Sequence, residues 1–170
     1  METREGLIIE EKFAKIKLLI LDVDGVMTDG RIIVNDSGEE TKHFDVKDGH
    51  GLVCLRRAGI EVAIISGRTS NAVDLRANEL GIEEVHQGIR DKTTLYQRLL
   101  RQKNLAPDQV CFMGDDLPDL PLFDQVGIAV AVADAVAEVR SAASLTTKSK
   151  GGQGAVREIC DSILTAQKKL

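Results

Sequence analysis

The chain has 170 residues, a net charge of -5, 43% hydrophobic residues and 29% charged ones, which suits one soluble domain with a sizeable core. The acidic balance argues against nucleic acid or an anionic membrane as partner, because both call for a basic face. No apolar run approaches bilayer length, and the N-terminal METREGLIIEEKFAKIK has no basic stretch followed by an apolar one, so the expected location is the cytoplasm.

Strand and helix patterns alternate from the first core segment onward. Lys17–Val23 (KLLILDV) reads as a buried strand. Arg31–Val34 and Thr41–Phe44 flank the turn-rich NDSGEE, which predicts a β-hairpin over about 30–45. Gly49–Ala58 reads as a helix stopped at Gly59, and Asp48 before it as a helix cap. Glu61–Ile65 (EVAII) is the next strand, followed by a helix over Ser70–Leu80 that ends at Gly81. Asp91 caps a helix running to Lys103. Gln109–Met113 and Gly127–Val130 read as strands, and Asp134–Ala143 and Ala155–Lys168 as helices. Gly151–Gly154 reads as a flexible loop leading into a C-terminal tail, about 151–170. Alternation with short connections predicts a single α/β domain over 1–170, a doubly wound parallel sheet with an inserted hairpin.

Ligands bind outside the carboxyl ends of the strands of such a sheet. Asp22 and Asp24 follow the first strand, and Ser66, Gly67 and Arg68 follow EVAII. Lys92 opens the helix after Asp91, and Gly114, Asp115, Asp116 and Asp119 follow QVCFM. Converging carboxylates repel one another unless a cation neutralises them. Oxygen ligands of this kind suit Mg²⁺, which keeps positions open for water and phosphate. A lysine and a serine beside it supply charge and a donor to phosphoryl oxygens. A carboxylate can attack phosphorus, and a second one two residues on can handle the proton. Cys54, Cys111 and Cys160 fit no zinc or disulfide pattern, and His43, His50 and His86 lack ligand spacing, so all six are read as structural or surface residues.

Asp22-Val23-Asp24-Gly25-Val26-Met27-Thr28 resembles the DxDGxxT nucleophile motif of the haloacid dehalogenase superfamily. Ser66 in IISGR resembles its second motif, Lys92 its third, and GDDLPD at 114–119 its fourth. The resemblance implies a phosphatase in which Asp22 is nucleophile and metal ligand, and Asp24 is general acid/base and ligates through its backbone carbonyl. It implies Asp115 as the third ligand, Asp119 as an orienting residue, Asp116 as a supporting one, and Ser66 and Lys92 on the phosphoryl oxygens. The intervals between motifs leave no room for a cap domain. DGRIIVNDSGEETKHFDVKDGHG, AVADA at 131–135 and GGQGAVREICDSIL resemble the capless sugar-acid phosphatases of that superfamily. The implied substrate is 3-deoxy-D-manno-octulosonate 8-phosphate, in lipopolysaccharide inner-core synthesis, and a nine-carbon sialic-acid-type 9-phosphate is the alternative. Arg68 favours the eight-carbon acid, and Arg76 matches an arginine that meets the sugar carboxylate. The group also implies a homotetramer with shared active sites, to which Arg157 on the tail would add a cation; a solvated helix position is the other reading of Arg157. A signalling receiver domain also combines clustered acids with a lysine, but it phosphorylates an aspartate at a later strand, where this chain has Ser66.

Overall fold

The computed structural model describes residues 4–169; Met1–Thr3, at the head of the N-terminal segment read above, and Leu170, at the end of the tail, lie outside the described residues. The first strand is β1 (Leu18–Leu21). β2 (Ile33–Val34) and β3 (Glu40–Thr41) form the hairpin, and then come β4 (Glu61–Ile65), β5 (Glu84–His86), β6 (Val110–Gly114), β7 (Ile128–Ala131) and β8 (Leu145–Thr146). The main sheet is parallel, in the order β5-β4-β1-β6-β7-β8. β1, β6 and β7 are buried at every position, as continuous apolar strands must be when helices cover both faces.

The register explains where the site falls. Leu21 pairs with Ile64 of β4 and with Met113 of β6, so the three central strands end level. The chain steps outward from β1 to β4 and β5, then returns to the other side of β1 for β6, β7 and β8. The crevice at that reversal is the expected ligand site.

The helices are α1 (Arg4–Phe13), α2 (Val46–Arg57), α3 (Asn71–Leu80), α4 (Lys92–Lys103), α5 (Leu120–Phe123), α6 (Ala137–Ala142) and α7 (Ala155–Ala166). α2 packs on α7 and α3, and α1 on α7; α4 packs on α5, and α5 on α6. The doubly wound fold is therefore as expected. So are the hairpin, with Ile33 opposite Thr41, and the lack of a cap: Asp22 and Ser66 are separated by the Val23–Met27 turn, the hairpin, α2 and β4, and Ser66 and Lys92 by α3 and β5.

Several local expectations are corrected. α1 was not anticipated; Ile9 and Phe13, one turn apart, pack on the core while Leu7 and Ile8 stay exposed. α2 begins at Val46 because Asp45 is its cap, accepting from Lys47 N at 2.7 Å and Asp48 N at 3.1 Å. Asp48 does not cap its own helix. It lies in the first turn of α2, buried, and accepts Arg157 N at 2.8 Å from the first turn of α7. α6 begins at Ala137 rather than Asp134, because the preceding residues form a turn in which Val136 N donates to Asp115 O at 2.9 Å.

The C-terminal segment is not a free arm. A Cβ on Gly151 would stand 1.8 Å from Gly25 O, and Gly152 N donates to Val26 O at 2.9 Å. These glycines permit close approach of two backbones. α7 then buries Val156, Ile159, Ile163 and Leu164, each contributing about 1.5–3 kcal/mol. Truncation after Lys150 would therefore remove part of the core.

Asp48 gives a pH-dependent test of this docking. Burial raises its carboxyl to about 6; the Arg157 N–H opposes that and Asp45 adds to it. A folded-state value above the ordinary carboxylate value means the contribution to stability is fully present below pH ~4 and is lost as pH rises through ~6. The stability of wild type relative to Asp48→Asn should thus fall by about 2–3 kcal/mol between pH 4 and pH 7. Urea unfolding of both proteins across that range measures it, and a pH-independent difference would refute it.

Candidate active site

The loop after β1 carries the two leading carboxylates. Asp22 N donates to Met113 O at 3.1 Å, which extends the sheet register by one residue. Gly25 has φ +88, and a Cβ there would lie 2.0 Å from Asp115 Oδ2, so no other residue lets this loop pass the β6 loop. Thr28 is buried and ties the loop, its Oγ1 accepting from Gly30 N at 3.2 Å and Gly25 N at 3.4 Å.

The β6 loop is braced by Asp119, which is 1% exposed. Its Oδ2 accepts from Asp115 N at 2.9 Å and Asp116 N at 3.3 Å, and its Oδ1 accepts from Lys92 Nζ at 2.7 Å. Asp116 caps the short turn that follows, accepting from Leu117 N at 2.8 Å. Lys92 is placed by α4, whose cap Asp91 accepts from Thr94 N at 3.0 Å. From there the ammonium reaches Asp22 Oδ1 at 3.1 Å and lies 5.8 Å from the Phe112 ring centroid. Ser66 is buried and held by its backbone, donating to His86 O at 2.9 Å.

A cavity of about 510 Å³ lies over these strand ends. It is lined by Asp22, Asp24, Ser66, Gly67, Arg68, Lys92, Asp115, Asp116 and Asp119, together with Gly30, Ile89, Arg90 and Pro118. The expected site residues are therefore together, with two exceptions. The Arg76 guanidinium is held by Glu79 Oε2 at 2.7 Å and packs over the Phe44 ring, outside the lining. Arg157 also lies outside it, with Nε on Asp161 Oδ1 at 2.8 Å. Neither arginine reaches this chain's own cavity.

Two residues of the hairpin were missed. Lys42 Nζ lies 2.5 Å from Asp24 Oδ1 and 3.1 Å from Glu40 Oε1. Arg68 Nη1 lies 2.9 Å from the same Glu40 oxygen and 3.7 Å from Asp24 Oδ2. No motif marks Lys42 or Glu40 in the sequence, and only the fold-back of the hairpin over the β1 loop brings them to Asp24.

Oxygens of Asp22, Asp115 and Asp119 all lie within 4.8 Å of one another. Both Asp119 oxygens already accept hydrogen bonds, so Asp22 and Asp115 are the side chains left to hold a cation. The Asp24 carboxyl is engaged by Lys42, leaving its backbone carbonyl as a donor. Burial, then Asp119, raises the Asp22 carboxyl to about 6, against the pull of Lys92. Burial, then Asp22, Asp119 and Asp116, raises Asp115 to about 8. Two hard oxygen donors crowded until one retains a proton at neutral pH fit a divalent cation. Burial acts to discharge Lys92, but Asp22 and Asp119 outweigh it and hold its pKa above the ordinary lysine value. The arrangement can bind a phosphoryl group between a cation and an ammonium, with a carboxylate beneath it.

Residues 84–159 match the haloacid dehalogenase-like hydrolase family. The 3-deoxy-D-manno-octulosonate 8-phosphate phosphatase of Yersinia pestis is 51% identical over 160 residues, covering 94% of this chain and 86% of that protein. The crystal structure of the Yersinia pestis phosphatase superposes with a TM-score of 0.96 at 48% identity, covering 100% of this chain and 94% of the other. That of the same phosphatase from Moraxella catarrhalis, in complex with magnesium ion, phosphate ion and KDO, superposes with a TM-score of 0.92 at 43% identity, covering 95% and 92%. Among the described residues, no helix is long and apolar enough to cross a membrane.

Proposed function

Because this chain belongs to the 3-deoxy-D-manno-octulosonate 8-phosphate phosphatase family of haloacid dehalogenase-like hydrolases, we propose that it hydrolyses that sugar-acid phosphate to the free sugar acid and inorganic phosphate. The observation that carries this is the Asp22 carboxylate at the cavity floor, held by Lys92 at 3.1 Å and facing Asp115, with Asp24 two residues on. The lipopolysaccharide inner core is the destination of the product, and the cytoplasm the compartment.

Asp22 attacks phosphorus, and the bond from phosphorus to the sugar oxygen breaks. Asp24 gives its proton to that oxygen as it leaves. Water then attacks the aspartyl-phosphate and passes a proton to the Asp24 carboxylate. Phosphate departs and the Asp22 carboxylate is restored. Ser66 and Lys92 hold the equatorial oxygens throughout, and Asp119 keeps Lys92 and the Asp115 loop in place. Mg²⁺, held by Asp22, Asp115 and the Asp24 carbonyl, supplies the positive charge that lets two carboxylates and a phosphoryl group share the site.

Phosphate release from a panel of eight- and nine-carbon sugar-acid phosphates tests the assignment. The eight-carbon 8-phosphate should give the highest kcat/KM, and preference for a sialic-acid-type 9-phosphate would overturn it. Arg68 lines the cavity beside Asp24 and reads the sugar rather than the phosphate. Arg68→Ala should therefore lower kcat/KM for the sugar acid at least about tenfold more than for a small generic phosphate ester. Equal losses would place Arg68 on the phosphate.

We also propose a homotetramer with shared active sites. Ile32, Ile33 and Val34 are exposed on the hairpin at 54%, 36% and 60%, and an isolated hairpin with an apolar strand needs a covering surface. Neighbouring hairpins supply it, and Arg76 and Arg157 then serve a neighbour's cavity. Sedimentation at micromolar concentration should give a tetramer; a fully active monomer would refute it.

A further inference from the structure

Lys42 takes no part in the mechanism above, yet its side chain is 1% exposed on a hairpin whose other strand is open to solvent. Burying an ammonium is unfavourable unless it is paired and hydrogen-bonded. Its pairing is specific: Asp24 Oδ1 at 2.5 Å and Glu40 Oε1 at 3.1 Å. Glu40 is anchored in turn by Arg68 Nη1 at 2.9 Å. Asp24 and Arg68 line the cavity, whereas Lys42 and Glu40 do not. Lys42 thus meets the proton-transferring carboxyl from outside the cavity lining.

Resting on the phosphatase function just stated, we propose that Lys42 is a positioning residue that fixes the Asp24 carboxyl for proton transfer. Lys42 donates to Oδ1 and so sets the plane of the carboxyl. Oδ2, which Arg68 Nη1 approaches only to 3.7 Å, beyond hydrogen-bond distance, is left to give its proton to the leaving sugar oxygen as the bond from phosphorus breaks, and later to take one from the attacking water. Proton transfer needs heavy atoms within hydrogen-bond reach of each other, and a carboxyl free to rotate about two bonds meets that condition only part of the time. Glu40 holds the ammonium in place, so the pair brings the hairpin into the acid/base half of the site without a cap domain. The bland alternative is a staple that merely fastens the hairpin to the β1 loop.

Leaving-group dependence separates the two. A sugar alkoxide must be protonated as it departs, whereas p-nitrophenolate leaves as the anion. Lys42→Met keeps the aliphatic stem and removes the ammonium. It should lower kcat/KM, which reports formation of the aspartyl-phosphate and not its shared hydrolysis, about 30- to 100-fold on the sugar-acid phosphate and less than about fivefold on p-nitrophenyl phosphate. Lys42→Arg, which can still donate to Oδ1, should recover sugar-phosphate turnover to within about tenfold of wild type. Equal losses on both esters, or wild-type kcat/KM in Lys42→Met, would each overturn the proposal. Should Lys42→Met fail to fold by circular dichroism, Glu40→Gln loosens the same ammonium and should show the same leaving-group selectivity in kcat/KM; equal losses there overturn the proposal. A wild-type protein inactive on both esters would overturn the phosphatase function itself, whereas equal losses in an active protein strike only Lys42.

Discussion

Asp22→Asn should lower kcat on the order of 10⁴-fold while leaving a folded protein that is no less stable than wild type. The amide keeps the shape and can still accept from Lys92, but it cannot attack phosphorus. The stability half follows from the carboxyl being raised to about 6 by burial and by Asp119. A folded-state value above the ordinary one means that ionised Asp22 costs stability at pH 7–8 in metal-free buffer. The neutral amide carries no such penalty. Thermal melts in EDTA, run beside a turnover assay with Mg²⁺, read both effects. Near-normal turnover in the folded variant would sink the mechanism. A large drop in Tm would show that the charge on Asp22 stabilises the fold.

Removing the metal should have an effect as large. Chelation is expected to abolish turnover and added Mg²⁺ to restore it, because Asp22 and Asp115 cannot both ionise beside a phosphate without a cation. Asp115 sharpens this, since burial and then its acidic neighbours raise it to about 8. At pH 7 the free protein therefore holds a proton that a divalent ion must displace. Affinity for Mg²⁺ should rise as pH goes from 6 to 8, with net proton release at pH 7. Calorimetry in buffers of different ionisation enthalpy measures that release. Full activity in metal-free buffer, or binding with no proton release and no pH dependence, would refute it.

The part of the site that lies at strand ends was legible in the sequence. Asp22, Ser66 and Asp115 each follow an apolar run, and a parallel sheet brings such ends together whatever the details of packing. Lys92 could be placed because Asp91 before it is a recognisable helix cap. Lys42 and Glu40 could not, because a hairpin's flanks carry no rule for which way it folds. Asp48 looked like the cap of α2; Asp45 is an equally good candidate three residues earlier, and only the approach of α7 shows which acid serves which helix. The glycines at 151–154 were ambiguous in a different way. The same residue permits mobility and permits two backbones to touch, and choosing between them requires knowing what lies opposite. β8 and α5, at two and four residues, were too short to leave a periodic signal.

The contact of Gly151 and Gly152 with the loop at Gly25, Val26 and Thr28 bears on when the enzyme becomes active during its own synthesis. The nucleophile loop is made before the backbone that lies against it and before α7, which packs on α2 and α1. A ribosome that has produced Asp22, Ser66, Lys92 and Asp115 has still not produced the surface that seats the first of them. A chain that stops before Gly151 would carry the motif residues but lack the backbone that lies against the nucleophile loop.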